Sequence, residues 1–577
     1  MTQHAFIPEI QKILSAEHID CAAVIPFSAC RVINPKKLAQ FGLSEDTVQS
    51  ALVFLAPYHP NPAGTEQRSI SVYSAARDYH VYFKGFFERV CPALCAAFPG
   101  YTFSGSADNA PIDERHAAIA AGLGMAGDSG MLINETYGTY VFIGEILSDL
   151  PWNTFYETAS DKETVSEPFV PQSAECVHCG ACRRSCPMNT NPFGIRDCLS
   201  AVNQTKRLET LCTEENGKTE QDYLDYIRFY GRAWGCDRCQ TPCPHNAHAK
   251  ATPIPFFREN LTPNPSSDDI RRMTDEEFCD RAYAWRKRST VMRNLELLEA
   301  DEAAGLPRAD TLEAILAVIR RAGSFMCSAH DVERQAGAID EKAGDANFVT
   351  VYDVRVQEML LEELHRVMPD ADFFAEEKDN DPAMLAKGHT FIIDPIDGTT
   401  NFIHNYGISA ISVGLLWNGV PVFGAIYDPY REMLYEARRD IGAFVTDRTG
   451  VSRKLRVSDR PMEKGVFAVG TSPYYRAELG DRTFAMMRRL FDAGADIRRL
   501  GSAALDLAAV AAGVADGYCE MLISPWDFAA GALLVTEAGG IITDLDGKPL
   551  DFSHPTGVIA GTPATHQRMV EVCRTEG

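Results

Sequence analysis

Two sets of side chains have the types and spacing that chemistry requires. The first is acidic. Glu376 and Glu377 close an apolar run, and eighteen residues after Glu376 comes Asp394-Pro395-Ile396-Asp397-Gly398-Thr399-Thr400-Asn401-Phe402. Trp526-Asp527 follows much later. Hard divalent cations take carboxylate and carbonyl oxygens, and magnesium keeps some of its waters. Asp394 and Asp397, locked around Pro395, can present two carboxylates and the Ile396 carbonyl to one place. Gly398 lets the backbone turn into a helix, and the amides of Gly398, Thr399 and Thr400 then face outward as an anion site. One loop therefore offers both metal ligands and a phosphate cradle. Solvated acids capping a helix after a strand would give the same short run; the further acids at separate positions argue against that.

The second set is sulfur. Cys176, Cys179, Cys182 and Cys186-Pro187 form C-x2-C-x2-C-x3-C-P, the bacterial ferredoxin run for a 4Fe–4S cluster. Cys236, Cys239 and Cys243-Pro244 follow, with Cys198 and Cys212 between. Seven motif cysteines and one of these two make eight, enough for two clusters. Zinc sites usually show paired CxxC without a third close cysteine or the trailing proline. The other eight of the 17 cysteines (21, 30, 91, 95, 279, 327, 519, 573) lack ligand spacing and read as buried apolar packing, though Cys91 and Cys95 are one helical turn apart and could pair.

The elements that must position these groups fall into three regions. At 577 residues, more than one domain is expected. Residues 1–170 mix apolar runs such as Ala51–Ala56 with helical periodicity, an α/β or α+β pattern. Residues 171–300 hold the cysteine motifs and a helical tail. Gly305 and Pro307 separate two helical patterns and mark the boundary before residues 309–577. There, apolar segments alternate with helices, and Asn418-Gly419 between two of them is a strong hairpin signal. An antiparallel sheet covered by helices fits this order.

Composition narrows the function classes. The formal charge is −24, divided as −9 over residues 1–300 and −15 over the rest, which opposes general binding to nucleic acid. Arg281–Arg293 is a local exception, five bases without an acid, and reads as a solvated helix face or as a docking strip for an anionic partner. Ala503–Ala515 is broken by Asp506 and is shorter than the ~20 apolar residues of a membrane span. No secretory h-region opens the chain, so a cytoplasmic protein without a membrane partner is expected.

Residues 309–577 resemble the inositol monophosphatase family along their whole length. The matching runs are AEEK (375–378), DPIDGTTNF (394–402), GSAALDLAAVAAGVADGYCE (501–520) and PWD (525–527). The resemblance implies a layered αβαβα fold, two or three magnesium ions, inhibition by lithium and a small phosphate-ester substrate. It makes Glu376, Asp394, the Ile396 carbonyl, Asp397 and Asp527 the metal ligands. It makes Thr399 and Asp353 the pair that orients and deprotonates the attacking water, and Glu520 the group that grips a substrate hydroxyl. Inositol monophosphate is the implied substrate, with fructose 1,6-bisphosphate and related sugar phosphates as alternatives. A homodimer is implied by analogy.

Residues 70–295 resemble epoxyqueuosine reductase and its shorter double-cluster relatives. The matching runs are ARDYH (76–80), ADNAPIDER (107–115), AGLGMAGDSGMLIN (121–134), YGTYVFIGEILSDLP (137–151) and RDCLSAV (196–202). The resemblance implies an α/β reductase-like domain with a ferredoxin-type double-cluster insert, so that the chain as a whole is an α+β multidomain protein. Cys176, Cys179, Cys182 and Cys243 would hold one cluster; Cys186, Cys198, Cys236 and Cys239 the other. Cys198 is preferred because RDCLS fits the family run, with Cys212 as the alternative. The clusters would feed a cobalamin. Asp108 matches the proton donor, since a carboxyl in a closed pocket can hold its proton; capping a helix before Pro111 is its other reading. The family's Gly-Lys is Gly127-Asp128 here, and the region that helps hold tRNA is replaced, which argues against tRNA as a substrate. In a competing reading, this half only transfers electrons to or from a partner protein, or senses redox state.

Overall fold

A computed structural model describes residues 6–64, 68–156, 176–328, 339–341 and 348–574. The chain forms two compact units. The first comprises Met1–Asn189, Arg196–Glu220 and Arg232–Glu296; the second comprises Thr190–Ile195, Gln221–Gly231 and Leu297–Gly577. The expected boundary at 170/171 lies outside the described residues.

In the first unit, strands β1 (Ala22–Pro26), β2 (Ser50–Pro57), β3 (Phe103–Ser106) and β4 (Val141–Ser148) form a sheet in the order β1-β2-β4-β3. Every pairing is antiparallel. The α/β expectation is therefore corrected to α+β. The cause is visible in β2, whose eight residues are all buried. Leu52, Phe54 and Ala56 face one core with Phe83, Phe86 and Val90 of helix α1 (Tyr79–Ala97). Ala51, Val53 and Leu55 face a second core with Ala117 and Ala118. A continuous apolar run marks a strand covered on both faces, which an antiparallel sheet reaches when helices lie on each side.

The second unit has five layers, as the resemblance implied. Its first sheet runs β5 (Asp372–Ala375), β6 (His389–Asp397), β7 (Ala410–Trp417), β8 (Val420–Asp428), β9 (Met433–Arg438), β10 (Gly442–Thr446) and β11 (Ser452–Lys454) in sequence order. Only β5–β6 is parallel among these pairs. Asn418 and Gly419 join β7 to β8 with φ of 50° and 81°, the left-handed pair a two-residue hairpin needs. The second sheet, in the order β13-β12-β14-β16-β15, comprises β12 (Val466–Val469), β13 (Asp496–Arg498), β14 (Gly517–Ile523), β15 (Ile541–Thr543) and β16 (Thr556–Gly561).

Six helices complete these layers. Helices α2 (Ala309–Cys327) and α3 (Val351–Val367) cover the outer face of the first sheet. Helices α4 (Ala503–Ala511) and α5 (Pro525–Glu537) fill the space between the sheets, packing on Ala410, Ile426 and Ala437 on one side and Tyr518, Val558 and Ala560 on the other. Helix α6 (His566–Cys573) covers the far face of the second sheet together with helix Arg476–Ala493. Small residues set the spacing: a Cβ at Gly424 would meet the Ala530 carbonyl of α5 at 2.8 Å.

The segments 190–195 and 221–231 correct the expected division, because they belong to the second unit. Phe193 and Phe229 pack edge-on against Phe444, at 5.6 and 4.9 Å between ring centroids. Buried Arg438 donates to the Phe229 carbonyl at 2.6 Å and lies 4.0 Å over its ring. The basic run is not a simple solvated face. Arg281 donates to the Asn260 carbonyl, Arg288 to that of Ile270 and Arg293 to that of Thr205. Among the described residues, no helix is long and apolar enough to cross a membrane.

Candidate active site

The second unit contains a cavity of about 510 Å³ lined by Glu376, Asp394, Ile396, Asp397, Gly398, Thr399, Thr400, Glu520 and Asp527. Residues 151 positions apart in sequence therefore meet. Asp394 and Asp397 sit at the end of β6, where the register against β7 shifts. Pro395 lies inside this irregularity, and the Ile396 amide donates to Asp394 Oδ1 at 3.0 Å. Asp527 is the third residue of α5, and one of its oxygens accepts from the Ser524 amide at 2.7 Å. Asp394, Asp397 and Asp527 each bring an oxygen within 4.8 Å of the other two.

Three carboxylates so close and so buried repel one another. Burial first, then Glu376, Asp397 and Asp527, push the Asp394 carboxyl well above its ordinary range. Burial followed by Glu376 and Asp397 does the same for Asp527. Asp397 is pushed up to about 6 by burial, against the opposing bonds of Ser502 and the Ala504 and Ala503 amides. Those donors open α4, so a helix start offsets part of the burial cost of the Asp397 anion. A crowded hard-oxygen set of this kind fits a divalent cation such as magnesium.

Thr399 and Asp353 also meet. The Thr399 hydroxyl lies 3.2 Å from Asp353 Oδ1 and 3.1 Å from the Ile396 carbonyl. The other Asp353 oxygen accepts from the Thr350 amide at 2.8 Å and caps α3. Burial pushes Asp353 up to about 6, opposed by the Thr350 bonds. Gly398 adopts φ of 88°, and a Cβ there would meet the Gly501 carbonyl at 2.9 Å. The helix it opens, Thr399–Ile403, is a single turn. Its anion cradle therefore rests on local amides, since a macrodipole needs aligned turns. Glu520 accepts from the Ser472 amide and the Tyr518 hydroxyl, each at 2.6 Å.

The sequence reading missed Ser472, Tyr474, Tyr475, Arg499 and Asp506, which also line the cavity. Ser472 occupies a left-handed conformation before Pro473, a turn that residue type alone does not announce. Asp506 was visible only as a charge interrupting an apolar helix; one of its buried oxygens has no protein partner.

Eight motif cysteines of the first unit fall into two neighbourhoods. Burial pushes Cys239 up to about 12, followed by its neighbours Cys236, Cys186 and Cys198. Cys243 is raised by burial and by Cys179, Cys176 and Cys182. The Cys212 sulfur lies 3.6 Å from the Leu208 carbonyl. Asp108 departs from expectation. It is exposed, and His80 first, with Tyr79, lowers its carboxyl below the ordinary range. Tyr79 donates to it at 2.9 Å, and His80 Nε2 lies 3.4 Å away. It therefore does not hold a proton through closure of a pocket, and Asp113, not Asp108, caps the following helix.

The inositol monophosphatase family model matches residues 308–576. The inositol-1-monophosphatase of Synechocystis sp. is 37% identical over 233 residues, covering 40% of this chain and 78% of that protein. Human inositol monophosphatase 1 is 31% identical over 269 residues, covering 46% and 94%. A putative Nus factor SuhB of Neisseria meningitidis serogroup B is 36% identical over 258 residues, covering 44% and 94%. Fold and site define a metal-dependent phosphatase, a phosphoric monoester hydrolase. Through residues 308–576 the chain belongs to the inositol monophosphatase family.

Proposed function

We propose that the second unit hydrolyses inositol monophosphate or a closely related sugar phosphate. The observation that carries this reading is the meeting of Asp394, Asp397 and Asp527 within 4.8 Å beside the Thr399–Asp353 pair. Glu376, Asp394, the Ile396 carbonyl, Asp397 and Asp527 would hold magnesium, which when bound would supply positive charge for the phosphoryl oxygens and lower the pKa of the attacking water. Thr399, backed by Asp353, orients that water and takes up its proton through the buried carboxylate. The amides of Gly398, Thr399 and Thr400 hold the phosphate oxygens, and Glu520 receives a hydroxyl of the leaving polyol.

A panel of inositol 1-phosphate, fructose 1,6-bisphosphate and simple sugar monophosphates, assayed for phosphate release with magnesium, tests the reading. Inositol 1-phosphate should be turned over fastest. Asp394→Asn should cost at least about a thousandfold while leaving the circular dichroism spectrum unchanged. Full turnover by that variant at saturating magnesium would refute the site; preference for the bisphosphate would refute the substrate.

A second reading concerns the first unit and is favoured by the two thiol groups of four. Cys176, Cys179, Cys182 and Cys243 fit one 4Fe–4S cluster, and Cys186, Cys198, Cys236 and Cys239 fit another. Such clusters would supply single electrons at low potential, to a bound cobalamin or to a partner protein. Anaerobic purification should give roughly eight irons and eight sulfides per chain. Recovery of zinc in place of iron would overturn this reading.

A further inference from the structure

Outside the catalytic cavity, the second unit buries a sulfur pair that the phosphatase reading does not use. Cys519 lies on β14 and Cys573 ends α6. Their Sγ atoms are 3.4 Å apart, and the Met486 thioether lies 3.0 Å from Cys519. Both cysteines are buried, among Phe467, Val469, Met569 and Val570. Thiols generally pack as small hydrophobes. Among the other non-motif cysteines, Cys21, Cys30 and Cys91 are half-buried against apolar cores, whereas Cys95 and Cys279 are exposed; Cys519 and Cys573 are fully buried. Here the two sulfurs touch each other across two elements 54 residues apart.

The position matters because of strand alternation. Cys519 faces α6, so its neighbour Glu520 faces the opposite side, towards the cavity, with Tyr518. A disulfide requires sulfurs about 2.05 Å apart. Closing the remaining gap would draw β14 towards α6 and loosen Glu520 from Ser472, which lies outside that strand.

We propose that Cys519 and Cys573 form an oxidative modification site, an intramolecular disulfide that clamps the last helix onto the strand carrying Glu520 and weakens its hold on substrate. The oxidant is a small-molecule disulfide of the glutathione class. Helix α6 covers the outer face of the second sheet, whereas Cys519 lies on its central strand, so local opening exposes Cys573 first. Its thiolate attacks one sulfur of the small disulfide, forming a mixed disulfide and expelling one thiolate, which takes up the proton Cys573 released. The Cys519 thiolate then displaces the second small thiolate, which takes up the proton from Cys519. Two protein thiols are oxidised and one small disulfide is reduced to two thiols.

The test uses the full chain, exposed to oxidised or reduced glutathione and then mapped by non-reducing peptide mass spectrometry. A peptide pair joined through Cys519 and Cys573 should appear, two mass units lighter than the reduced pair. With it, KM for inositol 1-phosphate should rise about fivefold, the worth of one weakened hydrogen bond. Dithiothreitol should reverse both changes. Cys573→Ser and Cys573→Ala should keep basal activity and lose the response. Glutathionylated Cys573 without the joined pair, or a joined pair with unchanged KM, would overturn the proposal. Because basal turnover of the reduced protein is measured in the same assay, failure of the phosphatase reading is seen separately.

Discussion

The Thr399 hydroxyl lies 3.2 Å from Asp353 Oδ1, and the second Asp353 oxygen caps helix α3 at the Thr350 amide. One carboxylate therefore joins a helix start to the end of strand β6. The cap fixes the carboxylate, and the carboxylate fixes the hydroxyl. Asp353→Asn and Thr399→Val should each lower kcat by about 100- to 1,000-fold. The double variant should fall little further, because the two act as a unit. Steady-state kinetics on the three variants check this; additive losses would separate the residues.

Gly398 is required by backbone geometry. Its φ of 88° and the 2.9 Å approach of the Gly501 carbonyl leave no room for a side chain. Gly398→Ala should destabilise the second unit by about 2 kcal/mol or more and abolish turnover. Urea denaturation monitored by fluorescence measures the first effect.

Metal removal should impose a pH dependence. Asp397, at about 6, and Asp394 and Asp527, both raised, hold protons more tightly when folded than when unfolded. Stability of the metal-free protein should therefore fall as pH rises from about 4 through about 6, with Asp397 alone contributing about 3 kcal/mol. Saturating magnesium should remove the loss, since a ligand bound only by the folded state stabilises it. Denaturation midpoints with chelator and with magnesium, for the native chain and Asp397→Asn, test the sign; a flat profile in chelator would contradict it.

Cys198, with Cys236 and Cys186, neighbours Cys239, which favours it over Cys212 as the fourth thiol of the proposed second group. Cys198→Ala should lose roughly half of the iron, and Cys212→Ala should keep it all. Iron and sulfide analysis of anaerobically prepared variants decides between them.

The acid motif, the cysteine spacings, the Asn418-Gly419 hairpin and the break at Gly305 were legible because each depends on neighbours close in sequence. Local backbone preference and ligand spacing act over a few residues, and residue types record them. The continuous apolar run of β2 was also legible, but not its pairing, because a strand buried on both faces has no alternation to show which partners it takes. Three further features were fixed only by tertiary packing. Asp108 meets His80 and Tyr79, which lower its carboxyl; Phe193 and Phe229 join the second unit through Phe444; and Cys519 touches Cys573. These depend on contacts between distant parts of the chain, which residue spacing does not encode.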